Sequence, residues 1–100
     1  MEDKFSVFGD PCGGVVKNLN VKAQCAEDNT IGGSTAEGTS LSLSCPSGFI
    51  IGDILFASYG TPSGAFPNFI LGECDASTSL SVVTSTCAGK SNCTLQAINE

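Results

Sequence analysis

Six cysteines in a chain of 100 residues, with no histidine, constrain this fold more than any other feature. A core of that size only marginally offsets chain entropy, so crosslinks are expected. Cys12, Cys25, Cys45, Cys74, Cys87 and Cys93 include no C-x2-C pair, and the closest two, Cys87 and Cys93, have five residues between them. That spacing suits a disulfide loop better than a zinc knuckle. Disulfides in turn point to an oxidising, secreted or extracellular setting. The connectivity stays open at this stage, because six cysteines can pair in many ways and spacing alone selects none.

Charge and composition remove several classes of function. Net charge is −6, with four lysines and no arginine, so the basic stripe that a phosphate backbone or an anionic membrane needs is missing. The longest apolar stretch, "GFIIGDILFA" (48–57), is interrupted by Asp53 and too short to span a bilayer, so no membrane insertion is expected. "MEDK" (1–4) lacks the apolar region of a secretory leader, which suggests a recombinant form or a mature piece with an added methionine. Without histidine no Ser–His or Cys–His nucleophile can be assembled. Paired carboxylates would need a cleft that one small domain scarcely offers. The expectation is a binding module rather than an enzyme, with no cofactor and no metal.

Residues 15–25 alternate, with Val15, Lys17, Leu19, Val21, Ala23 and Cys25 on one face and Asn18, Asn20, Lys22 and Gln24 on the other. The pattern predicts a half-buried strand with Lys17 near its start. "AEDNTIGGST" (26–35) is polar, contains Gly-Gly-Ser and reads as a flexible connector. "TSLSLSC" (39–45) alternates again. "GFIIGDILFASYG" (48–60) is β-rich with an expected bulge at Gly52, and "TPSGAFPN" (61–68) is a turn-rich loop. In "STSLSVVTSTCAGK" (77–90), Leu80, Val83 and Cys87 recur at helical spacing, with Ser or Thr caps ahead and Gly89 behind. One domain over 1–100 is expected, mainly antiparallel β with one short helix, α+β in class.

Single motifs have plain readings. Gly-Asp-Pro-Cys (9–12) is a turn, Glu37 a solvated carboxylate, and Tyr59 a packing residue at a strand end. As a set, however, "AEGTSLSLSC" (36–45), "ASYGTPSGAF" (57–66), "GEC" (72–74), "TCAGKSNC" (86–93) and "FGDPCGGVVKNL…KAQC" (8–25) have a shared likeness. They resemble, piece by piece, the SUEL-type (rhamnose- or galactose-binding) lectin domain of fish-egg lectins, latrophilin ectodomains and plant β-galactosidase C-termini. "ASYGTPSGAF" is closest to the plant form. The resemblance implies a small, disulfide-stapled, β-sandwich-like domain.

One block is out of order. In the family the Gly-Asp-Pro-Cys and Lys-x-Leu block ends the domain, whereas here it comes first. The resemblance therefore implies a circular permutation, with 26–35 joining the family's C-terminal and N-terminal strands; ten extended residues reach about 33 Å. It also implies the bridges Cys25–Cys45, Cys12–Cys74 and Cys87–Cys93. The family's first cysteine falls on Ala36 and its third on or beside Phe66, so Phe66 is expected to pack by Ala36 where that bridge is lost.

By the same resemblance, a monosaccharide is held by Glu37, Ser58, Tyr59, Asp10 and Lys17, with a backbone contact near Gly14. Carboxylates accept charge-assisted bonds from vicinal hydroxyls, and the lysine donates to a further sugar oxygen. Each charged member is expected to be at least partly exposed. Ser58, Thr61 and Asn18 depart from the animal-type Asn, Arg and Tyr, and serine is shorter and monodentate. The implied partners are galactose- or rhamnose-bearing glycans, with tandem or multimeric context adding avidity. The alternatives are a non-binding structural or targeting module of a glycosidase or tandem array, and a secreted effector or inhibitor using the scaffold for protein contacts.

Overall fold

The computed structural model describes residues 16–26, 29–66, 68–76 and 78–97. Strands β1 (Asn18–Ala26), β2 (Asn29–Ala36) and β4 (Asp53–Gly60) form an antiparallel sheet in the order β2-β1-β4. Strands β3 (Ser40–Ser44) and β5 (Asn92–Gln96) form a second antiparallel pair, and helix α1 (Ser79–Cys87) packs against β4 and β5. The small, mainly antiparallel fold with one short helix is the one expected from the sequence.

The alternation of β1 sets the architecture. Leu19, Val21 and Ala23 turn inward and meet Leu43, Tyr59, Val83, Cys93 and Leu95 from the other elements. Two disulfides staple this core. Cys25–Cys45 links the end of β1 to the residue after β3, with Cα atoms 5.7 Å apart, and Cys87–Cys93 links α1 to β5 at 5.2 Å. Both separations lie in the ordinary range for the crosslink. Cys74 is also disulfide-bonded; its expected partner, Cys12, lies outside the described residues.

Four expectations need correction. The 26–35 stretch is no flexible connector, because residues 29–36 are strand β2, paired along β1 from Asn18↔Ala36 to Ala26↔Asn29. Backbone pairing outweighs its polar, glycine-containing composition, since β1 offers an edge and glycine needs no side-chain room there. The bulge falls at Leu55 rather than Gly52, where the register shifts between Lys22↔Phe56 and Ala23↔Ile54. In α1 the inward positions are Ser79, Val83 and Cys87, leaving Leu80 exposed, and Thr78 at the N-cap makes no side-chain cap bond. Phe66 packs over Gly32 and against Phe69, not beside Ala36. Gly32 and Ala36 lie four residues apart along a strand, roughly 13 Å.

Candidate functional site

Two short turns bring the predicted residues to one end of the three-stranded sheet. Lys17 directly precedes β1, and Glu37 directly follows β2. The Glu37 amide donates to the Lys17 carbonyl at 2.9 Å, and the Lys17 amide donates to Glu37 Oε1 at 2.9 Å. Glu37 Oε1 also lies 3.7 Å from Lys17 Nζ. Gly38 makes this turn possible by adopting φ 89°, a region glycine enters at little cost. The turn is then clamped to the end of β5, with the Gly38 amide donating to the Ala97 carbonyl at 2.7 Å and the Ala97 amide to the Thr39 carbonyl at 2.9 Å.

The pair is unequal. The Lys17 side chain is only 2% exposed, against 28% for Glu37. The expectation that Lys17 stands open to water is therefore corrected: it faces inward with Leu19, and its charge lies behind the carboxylate. Glu37 is the member that solvent reaches.

Ser58 and Tyr59 lie at the same end of the sheet, opposite Asn20 and Leu19 across the β1–β4 ladder. Neither is exposed. Tyr59 belongs to the core cluster, the plainer of its two readings, because the strand alternation that turns Leu19 inward turns its neighbour inward too. Ser58 sits on the opposite face, where its hydroxyl donates to Asp75 Oδ1 at 2.7 Å. Gly60 follows Tyr59 for a steric reason, since a Cβ there would stand 1.9 Å from the Cys74 carbonyl oxygen. Asp10 and Gly14 lie outside the described residues.

Two polar residues escaped the sequence reading. Asp75 is exposed and pairs with Gly60 in an isolated bridge, which carries its carboxylate to Ser58. Its position directly after Cys74 is the only cue the sequence offers. Ser79 is buried, accepts the Tyr59 amide at 2.9 Å and donates to the Ala76 carbonyl at 2.7 Å. A serine among so many others carries no distinguishing signal. Among the described residues, no group of three Cys, Asp or Glu side chains converges as metal ligands would. None of their helices is long and apolar enough to cross a membrane.

Comparison with known proteins matches the profile of the "D-galactoside/L-rhamnose binding SUEL lectin domain" to residues 43–100. The chain is 46% identical over 63 residues to "Beta-galactosidase 6" of Oryza sativa subsp. japonica, covering 62% of this chain and 7% of that protein. It is 46% identical over 57 residues to "Beta-galactosidase 8" of Arabidopsis thaliana, covering 56% of this chain and 7% of that protein. A longer alignment, 32% identical over 91 residues, joins it to rice "Beta-galactosidase 7", covering 87% of this chain and 12% of that protein. The chain thus spans less than an eighth of the length of these relatives. No solved structure gives a significant match. With more than half of its length matched by the family profile, and on a disulfide-stapled antiparallel fold, the chain belongs to the SUEL lectin domain family, a carbohydrate-binding family.

Proposed function

We propose that this domain binds galactose- or rhamnose-bearing glycans through Glu37, with Lys17 holding that carboxylate in place and Asp10 and Gly14 completing the site. The observation that carries the reading is the reciprocal Lys17–Glu37 pairing. It presents a carboxylate at the surface and backs it with a buried cation. Such an acceptor suits two adjacent hydroxyls, each donating a charge-assisted bond. Ser58 and Tyr59 act through the backbone they rigidify, since neither side chain is exposed. The disulfides suit an extracellular setting.

Titration with galactose, rhamnose and glucose, followed by NMR, tests the proposal. Galactose or rhamnose should shift the Glu37 and Gly38 amides at millimolar concentration, and glucose should not. Glu37→Gln should weaken binding by roughly 1.5–3 kcal/mol, the worth of bonds to a charged group. The same change withdraws the carboxylate facing Lys17, so it should also lower stability by about 2 kcal/mol. Binding of the variant is therefore read at a temperature where its spectrum is still native.

A second reading is a non-binding module of a glycosidase. It is favoured by the small share of each β-galactosidase that the chain covers and by the burial of Ser58 and Tyr59. It holds if neither galactose nor rhamnose moves any amide.

A further inference from the structure

The outer face of the three-stranded sheet, away from the core, carries a second polar site. Asn18 and Asn20 point to this face, because Leu19 and Val21 beside them point inward. Across the ladders, Asn20 stands opposite Ser34 and Ser58, and Asn18 opposite Ala36 and Gly60. An outward asparagine on a sheet would ordinarily be wet. Asn20 is only 4% exposed, and its Oδ1 has no hydrogen-bond partner among the described residues.

The loop of residues 61–70 is the cause. It closes on itself through paired Ser63 and Ile70 backbone bonds, each 2.9 Å, and folds across the sheet. Phe66 seats over Gly32, where a Cβ would stand 2.8 Å from its ring. Phe69 packs on Phe56, with ring centroids 5.6 Å apart. Beside this aromatic anchor the loop arches and leaves a pocket of about 280 Å³, lined by Asn18, Asn20, Ser34, Thr35, Ala36, Pro62 and Gly64.

A buried carbonyl oxygen without a donor is costly, and native structures seldom leave one so. What the Asn20 oxygen lacks is therefore a donor. One water would satisfy a single oxygen, yet a water occupies only about 30 Å³ of liquid. The volume stands close to the lower end of small-molecule sites, roughly 300 Å³. Among the described residues, no charged side chain lines it. An anion would meet the Asn20 oxygen with its own acceptors, and a cation would find no carboxylate. A neutral ring bearing several hydroxyls fits, since each hydroxyl both donates to an amide oxygen and accepts from an amide or a serine.

We propose that this pocket is a second binding site, for a neutral polyhydroxylated ligand of about one pyranose ring. It is separate from Glu37, which lies with Lys17 at the strand end, and it does not rest on that residue binding sugar.

The test is an NMR titration of the whole chain with D-galactose and, separately, myo-inositol. The reporters are the Asn20 side-chain amide and the backbone amides of Ser34 and Gly64. All three should shift together and saturate with one millimolar affinity for at least one probe. Asn20→Leu, which removes the orphaned oxygen at similar size, should weaken that response roughly tenfold or more. It should also raise the melting temperature in the absence of probe. Ser34→Leu plugs the pocket from an exposed wall and should abolish the response without touching the core.

Silence of the three reporters with both probes would overturn the proposal, as would a response that survives both substitutions. Galactose shifts at Glu37 with silent pocket reporters would refute this site alone. Pocket shifts with a silent Glu37 would leave it standing and refute the other.

Discussion

The Ser79 hydroxyl holds two backbone groups at once, and so fastens the start of α1 to β4. It accepts from the Tyr59 amide and donates to the Ala76 carbonyl, both in a buried setting. Replacing it with alanine removes the acceptor for that amide where water cannot substitute. Ser79→Ala should therefore cost about 1–3 kcal/mol, read as a shift in the urea midpoint at unchanged slope. Ser81→Ala, two residues further along and exposed, should change stability by less than about 0.5 kcal/mol. Equal effects at the two positions would show that the Ser79 bonds contribute nothing particular.

Elements here are placed by close contact more than by propensity. Helix α1, "SLSVVTSTC", is built from residues of weak helical preference, and depends on Val83, on Cys87 and on the bridge to β5. Gly89 ends it at φ 86°, its amide donating to the Ile51 carbonyl at 2.7 Å. On the other side of the sheet, Gly32 lets the 61–70 loop lie flat. A Cβ at this position would stand 2.2 Å from the Val21 carbonyl oxygen as well as meeting the Phe66 ring. Gly32→Ala should cost about 1–3 kcal/mol through overpacking and loosen Phe66 from the sheet. Urea denaturation measures the first effect and hydrogen exchange of the Ser63 and Ile70 amides the second. Unchanged protection of those amides would mean that the loop is held by something other than this contact.

For the whole molecule, the notable juxtaposition is that β1 and β2 are neighbours joined across residues 27 and 28 alone. Cys25–Cys45 then spans 20 residues and ties the same region to β3, worth about 3 kcal/mol on the chain-entropy model. The proposed permutation draws support from this adjacency, because strands that are partners can be joined or cut with little change to the fold. A chain rearranged to run 29–100 and then 1–26, with residue 100 joined to residue 1, tests it. That chain should form Cys25–Cys45 and Cys87–Cys93 and melt within a few degrees of the original. Peptide mapping that found other pairings would refute the permutation.

The sequence alone determined the features that short-range chemistry dictates. The two-residue alternation of Leu19, Val21 and Ala23 marked β1 and its inner face. The cysteine content marked a crosslinked domain, and the motif set marked the family along with the Lys17 and Glu37 pair. Strand β2 was hidden because its partner strand, not its composition, makes it a strand. Strand β5 was hidden because five residues beside a cysteine loop carry too short a pattern. The choice of Ser79 over Leu80 as the inward residue followed from the packing of α1 on β4, where the Ser79 hydroxyl accepts the Tyr59 amide. Burial of Lys17, concealment of Ser58 and the pocket at Asn20 were decided only in three dimensions. Each depends on what covers a side chain, and the covering segments lie tens of residues away, with nothing in the local sequence to announce their approach.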